Sequence, residues 1–157
     1  MNIEHEIIDI EWEGSFKIQY DREKDEYNLD NVPTELLNEC GFYQIYGRHP
    51  VYGKDVLLYI GETKESKVSN RSFRVRLNEH LKGRFFHHTN ISVNLGPCSL
   101  PPETVEIVES ILIYSHIPAL NIQHTASMKL GSAKYLVRNW GFTGNLSNVC
   151  TGNWDCD

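Results

Sequence analysis

The chain has 157 residues, 40% apolar and 23% charged, with a net charge of −6. That balance is a soluble globular domain's, and the length suffices to bury a core without disulfide staples. No apolar run approaches the ~18 residues that a membrane-crossing helix needs. Residues 1–14, MNIEHEIIDIEWEG, are acidic where a secretory signal would be basic and then apolar. Cys40, Cys98, Cys150 and Cys156 are too scattered for a zinc pair, whose members usually sit about two to four residues apart. The expectation is a single domain over residues 1–157, reduced, intracellular and cytoplasmic, with no membrane partner.

The charge is unevenly spread. Residues 1–40 carry twelve acidic and three basic side chains, whereas residues 41–90 carry nine basic and four acidic ones with four histidines. Phosphate binding follows the local field, not the total. A solvated acidic face is the plain reading of this asymmetry; a basic face for nucleic acid is the sharper one.

Residues 15–20, SFKIQY, alternate and predict a half-buried strand. A charged turn fills 21–30. Residues 33–39 predict a short helix, with Pro33 in its first turn and Asp30 or Asn31 as caps. Residues 41–46, GFYQIY, and 56–60, VLLYI, predict two strands, the second continuous and apolar as in a strand covered on both faces. Residues 71–82 predict a helix: Phe73, Leu77 and Leu81 make its buried stripe, and Arg76 and His80 share a neighbouring face. Ser69 or Asn70 would cap it and Gly83 would end it. His87 and His88 fall in a loop, where adjacent histidines usually face water; metal ligation is the sharper alternative. Ile91, Val93 and Leu95 alternate with polar residues and predict a third core strand.

Residues 99–116 predict the longest helix, with Pro101 and Pro102 in its first turn, Glu103 and Glu106 near its positive end, and Pro118 stopping it. Val105, Val108, Ile111 and Leu112 form its apolar face. Glu109 falls at the edge of that face or inside it. A desolvated carboxylate there needs an arginine, a hydrogen-bond donor or a cation. Residues 132–140, SAKYLVRNW, predict a short helix in which Tyr135 and Leu136 pack and Lys134 and Arg138 are placed to touch a phosphate.

Taken in order, Gly41-Phe42-Tyr43, Tyr59-Ile60-Gly61, Arg76-Leu77-Asn78-Glu79-His80, then Glu109, Ile113, Pro118 and Asn121 resemble the signature of the GIY-YIG nucleases across residues 40–122. Phe42 stands where the family has Ile or Val. The segment between Gly61 and Arg76 is longer than in compact members, which leaves Arg74 as an alternative to Arg76. The resemblance implies an α/β fold: a small, mainly antiparallel sheet flanked by helices, with an N-terminal strand and helix and a C-terminal extension outside the catalytic core. It implies a DNA endonuclease using Mg²⁺ or Mn²⁺. Glu109 would hold the metal and Arg76 the phosphate. Tyr43 would help deprotonate water, its pKa lowered by Arg76 and the metal, and Tyr59 would orient the water or the phosphate. His80 accompanies them, and Gly41, Gly61 and Asn121 support the site. The chemistry needs these types, because phosphodiester hydrolysis requires an activated water, compensation of phosphoryl charge and relief for the leaving alkoxide.

Each residue alone also has a plain reading: a core tyrosine, a surface arginine or histidine, a carboxylate in an ion pair. Lys64, Lys67, Arg71, Arg74, Lys82 and Arg84 would join Arg76 in binding the DNA backbone, with residues 1–40 turned away. A restriction-type member would need to dimerise to cut both strands. The rival readings are a non-catalytic nucleic-acid-binding module on the same fold and a protein-interaction domain with an acidic face.

Overall fold

The computed structural model describes residues 4–64, 71–85 and 87–152. Lys67, Ser69, Asn70 and Cys156 lie outside the described residues.

The acidic N-terminus is a strand. In β1 (Glu6–Lys17) Ile8, Ile10 and Trp12 are buried while the intervening acids face out. This period of two lets one face join the core and the other stay in water. The strand expected over 15–20 is therefore corrected. The chain leaves the ladder at Ile18, whose amide donates to the Ile91 carbonyl at 2.9 Å. It then forms a separate hairpin of β2 (Gln19–Asp21) and β3 (Glu26–Asn28). Helix α1 (Thr34–Leu37) is capped by Pro33, shorter than expected and without a side-chain cap. Asn31 is occupied elsewhere, its Nδ2 donating to the Lys17 carbonyl at 3.0 Å.

Then come β4 (Gly41–His49), β5 (Gly53–Thr63), α2 (Phe73–Lys82), β6 (Ser92–Pro97) and α3 (Pro102–His116). All five match the expected elements. Gly83 ends α2, and Ile117, in a left-handed conformation, ends α3 before Pro118. The segment predicted as a helix over 132–140 is instead a 3₁₀ turn, Ser132–Lys134, followed by β7 (Tyr135–Gly141) and then β8 (Val149–Thr151). The reason lies in pairing. β1 offers a parallel edge, and Tyr135, Val137 and Asn139 alternate into the core beside it. Asn139 accepts the indole proton of Trp12 at 2.9 Å.

The fold is mixed α/β: the described residues form three helices and, besides the β2–β3 hairpin, a six-stranded sheet in the order β5-β4-β6-β1-β7-β8, antiparallel except between β1 and β7. A core lies on each face. Phe42 and Tyr46 of β4 belong to the core of α3, with Val108, Ile111 and Leu112. Tyr43 and Ile45, on the opposite face, belong to that of α2, with Phe73, Leu77 and Leu81. The α2 stripe is almost wholly buried, and each such side chain stabilises by about 1.5–3 kcal/mol. β5 ends the sheet, but its edge is not bare. Ala119 and Leu120 donate backbone hydrogen bonds to Leu57 and Leu58 at 3.1 and 2.8 Å, so the chain leaving α3 covers it. No described helix is long and apolar enough to cross a membrane.

Candidate active site

The site begins with the register of β4 on β5, which sets Tyr43 opposite Gly61. The Tyr43 ring lies directly over that glycine: a Cβ at position 61 would come within 2.3 Å of the ring's Cζ and hydroxyl oxygen. Gly41, at φ +151°, is needed for a different reason, since its Cβ would strike the Gly96 carbonyl at 2.2 Å. Tyr43 is fully buried, edge-on to Phe73 and 6.2 Å from the Tyr59 ring. Gly61→Ala is expected to displace Tyr43 and lower stability by about 1–3 kcal/mol, as overpacking does. Thermal melting checks this, and an unchanged melting temperature would mean that the ring is not held where described.

Burial of Phe73, Leu77 and Leu81 turns the neighbouring face of α2 towards the two tyrosines. His80 Nε2 lies 2.7 Å from the Tyr43 hydroxyl, and the His80 ring is 4.9 Å from that of Tyr59. Arg84 stands over the Tyr59 ring at 5.5 Å and donates to the Leu120 carbonyl. Arg76 pairs with Glu79 at 2.8 Å and acts electrostatically on Tyr43, Tyr59, Glu62 and Glu109. Arg76, and not Arg74, is among the groups acting on the tyrosines and His80, which favours Arg76 of the two arginines.

Burial, reinforced by Tyr59, raises the Tyr43 pKa well above its ordinary value, although Arg76 opposes this. Arg76 by itself therefore does not lower the Tyr43 pKa: without a bound metal, desolvation outweighs the nearby arginine. His80 is pushed down to about 4, chiefly by burial and then by Arg76 and Arg84, so its imidazole is neutral near pH 7.

The carboxylates converge at the far end of β5. Glu62, directly after Gly61, lines a cleft with Glu106 and Glu109 of α3. Glu106 accepts from Lys64 and, at 2.6 Å, from Lys129, and is held near 2 by those hydrogen bonds. Glu109 has no ion pair among the described residues. Burial first, then Glu62, pushes its pKa up to about 8. Glu62 is raised mainly by burial, and its Oε2 is buried without a hydrogen-bond partner among the described residues. Among the described residues no group of three His, Cys, Asp or Glu side chains is arranged to hold a metal. A pair of carboxylates, one with an orphaned oxygen, nonetheless fits Mg²⁺, which takes one or two carboxylates and keeps several waters.

No family model matches the chain, and neither does any curated protein or solved structure compared with it.

Asn121 grips the backbone between Tyr59 and Gly61: its Oδ1 accepts from the Ile60 amide and its Nδ2 donates to the Ile60 carbonyl, both at 2.9 Å. It holds β5 and does not face the carboxylates' cleft. Of the basic residues expected on DNA, Arg71 and Lys82 are exposed and Arg74 is half-buried. Lys64 is tied to Glu106 and lies 3.9 Å from Glu62. Arg138 is held by both oxygens of Asp9, at 2.7 and 2.8 Å, and so is engaged away from the site. The charged groups acting on Tyr43, Tyr59, Arg76, His80 and Glu109 all come from residues 43–109, not from the acidic N-terminal stretch. The sequence reading missed Glu62, Glu79 and Glu106. Their only signals were adjacency to Gly61 and spacings of three residues from Arg76 and Glu109.

Proposed function

We propose that this chain is a divalent-metal-dependent DNA endonuclease. The observation carrying the reading is the Tyr43–His80 pair, seated over Gly61, with Arg76 acting both on it and on the Glu62–Glu109 pair.

The residues divide the work by exposure. A base must reach water, and Tyr43 is fully buried whereas His80 is partly exposed. His80 is therefore the proton acceptor. With its Nε2–H donated to the Tyr43 oxygen, its Nδ1 lone pair is available to a water. The water gives a proton to Nδ1 as its oxygen attacks phosphorus, and the P–O bond to the leaving alkoxide breaks. The Tyr43 bond strengthens as the imidazolium forms, since hydrogen bonds from charged donors are the stronger ones. Arg76 offers a planar fork to the non-bridging oxygens, and Arg84 keeps Tyr59 in place. Glu62 and Glu109 would hold the divalent cation, which supplies Lewis-acid stabilisation of the departing oxygen when bound.

Supercoiled plasmid should be nicked in Mg²⁺ or Mn²⁺ and left intact in EDTA. Binding should weaken with salt by about 0.9 in log–log slope per phosphate neutralised. DNA binding with no cleavage in either metal would favour the non-catalytic module. A restriction-type enzyme would linearise plasmid only as a dimer.

A further inference from the structure

A cleft of about 880 Å³ shares no lining residue with the carboxylates' cleft. Lys17, Tyr20, Arg22, Lys54 and His88 line the former, with Tyr27 of the strand next to Tyr20. Among the described residues Asp55 is its only acidic lining residue. The acids of the β2–β3 turn are absent from the lining, although they dominate that stretch of sequence. Tyr20 is 42% exposed, and its ring meets Tyr27 edge-on at 5.2 Å. The Tyr27 hydroxyl donates to the His88 carbonyl and so ties the hairpin to the loop after α2. That loop leads into the candidate site. The His88 ring touches Phe85 at 5.7 Å, and Phe85 lies 5.8 Å from Tyr59 and 5.4 Å from His80.

We propose that this cleft receives an unpaired segment of the nucleic acid, a single-stranded tail beside the point of attack. Positive side chains meet the phosphates, and Tyr20 supplies the stacking face. Single-strand grooves combine these two features, because every base has a π-face and an unpaired base can leave its stack. A duplex keeps its bases stacked inside and cannot lay one on a ring that lines a cleft. The volume, within the ~300–1,000 Å³ range of small-ligand pockets, suits individual nucleotides and not a double helix. The inference rests on the reading that the chain handles nucleic acid, not on its cutting it. It also means that the N-terminal segment, acidic overall, contributes a basic and aromatic wall to substrate binding.

The test is fluorescence anisotropy of the full chain in EDTA, with a blunt duplex, the same duplex bearing an oligothymidine tail, and free oligothymidine. The tail should tighten binding about tenfold, the value of roughly one stacked base. Tyr20→Ala should abolish that advantage. Lys17→Ala with Arg22→Ala, at two exposed positions, should abolish it too and should lower the salt slope for the free oligothymidine by about 0.7 per charge removed. Blunt-duplex affinity and plasmid nicking in Mg²⁺ should stay at wild type in both variants. Equal affinity for tailed and blunt duplexes would overturn the proposal, as would variants that weaken both alike. A tail advantage lost in the variants, with no cleavage by any form, would sustain the cleft and sink the nuclease reading.

Discussion

Glu109→Gln should cut Mg²⁺-dependent nicking by two or more orders of magnitude and yet melt at a higher temperature than wild type in metal-free buffer at pH 8. The loss follows from charge. Metal-assisted stabilisation is worth several kcal/mol, and each ~1.4 kcal/mol is tenfold in rate. The gain follows from burial. Glu109 has an ordinary pKa of 4.5 and a folded value of about 8. Between those values the folded chain binds more protons than the unfolded chain, so stability falls as pH rises through the window and levels off above it. Below the window the carboxyl is neutral in both states and costs nothing. Glutamine never carries the charge, so the gap between variant and wild type should open from pH 5 to pH 8, reaching on the order of a few kcal/mol. Protons also compete with the cation, so wild-type cleavage at limiting Mg²⁺ should rise with pH towards about 8. DNA binding should hold or tighten, because a negative charge near phosphate has gone. The opposite pattern would show that the carboxylate holds an ion pair: a variant melting far lower, as when a buried pair is broken at ~3–5 kcal/mol, while cutting normally.

The central part of the molecule was legible because its signals are local. β4 and β5 are short apolar runs, β6 alternates, and α2 and α3 repeat apolar residues at helical spacing, so Tyr43, Arg76, His80 and Glu109 could be placed on them by counting. β1 was misread for the opposite reason. Acids dominate the composition of EIIDIEWE, although Ile8, Ile10 and Trp12 alternate cleanly into the core between them. β7 carried two conflicting periods, Lys134 and Arg138 at four and Tyr135, Val137 and Asn139 at two. Pairing with β1, more than a hundred residues away, decided between them. The same distance problem hid Glu62. Its carboxylate belongs to β5 and its neighbour Glu109 to α3, and only the packing of that helix against the strand brings them to one cleft. Direction of the Tyr43 shift was also beyond the sequence, because the depth of burial that outweighs Arg76 depends on Phe73, Tyr59 and Gly61 together.

His80→Ala should lower cleavage about 10²–10⁴-fold, the usual worth of a positioned base, and added imidazole should restore part of it. Tyr43→Phe should lower cleavage less, by roughly ten- to a hundredfold, because a hydrogen bond to a charged partner contributes about 1.5–3 kcal/mol and the base itself remains. The ring would still pack against Phe73 and over Gly61, so the variant should fold, with stability lower by the ~1 kcal/mol of one hydrogen bond. Imidazole should not rescue it, since His80 is already present. The pH profile separates the roles further. His80 keeps its lone pair down to about pH 4, so wild-type cleavage at saturating Mg²⁺ should persist below the ordinary histidine pKa of 6.5 and fail only as pH approaches 4. Without Tyr43 the imidazole loses the partner that orients it, so the rate should fall while that acid limb stays below 6.5. These are single-turnover measurements on nicked-plasmid formation with wild type and the two variants. A Tyr43→Phe protein that folds but is dead, beside a His80→Ala protein that cuts within tenfold of wild type, would show that the buried phenol reaches water during the reaction and is itself the base.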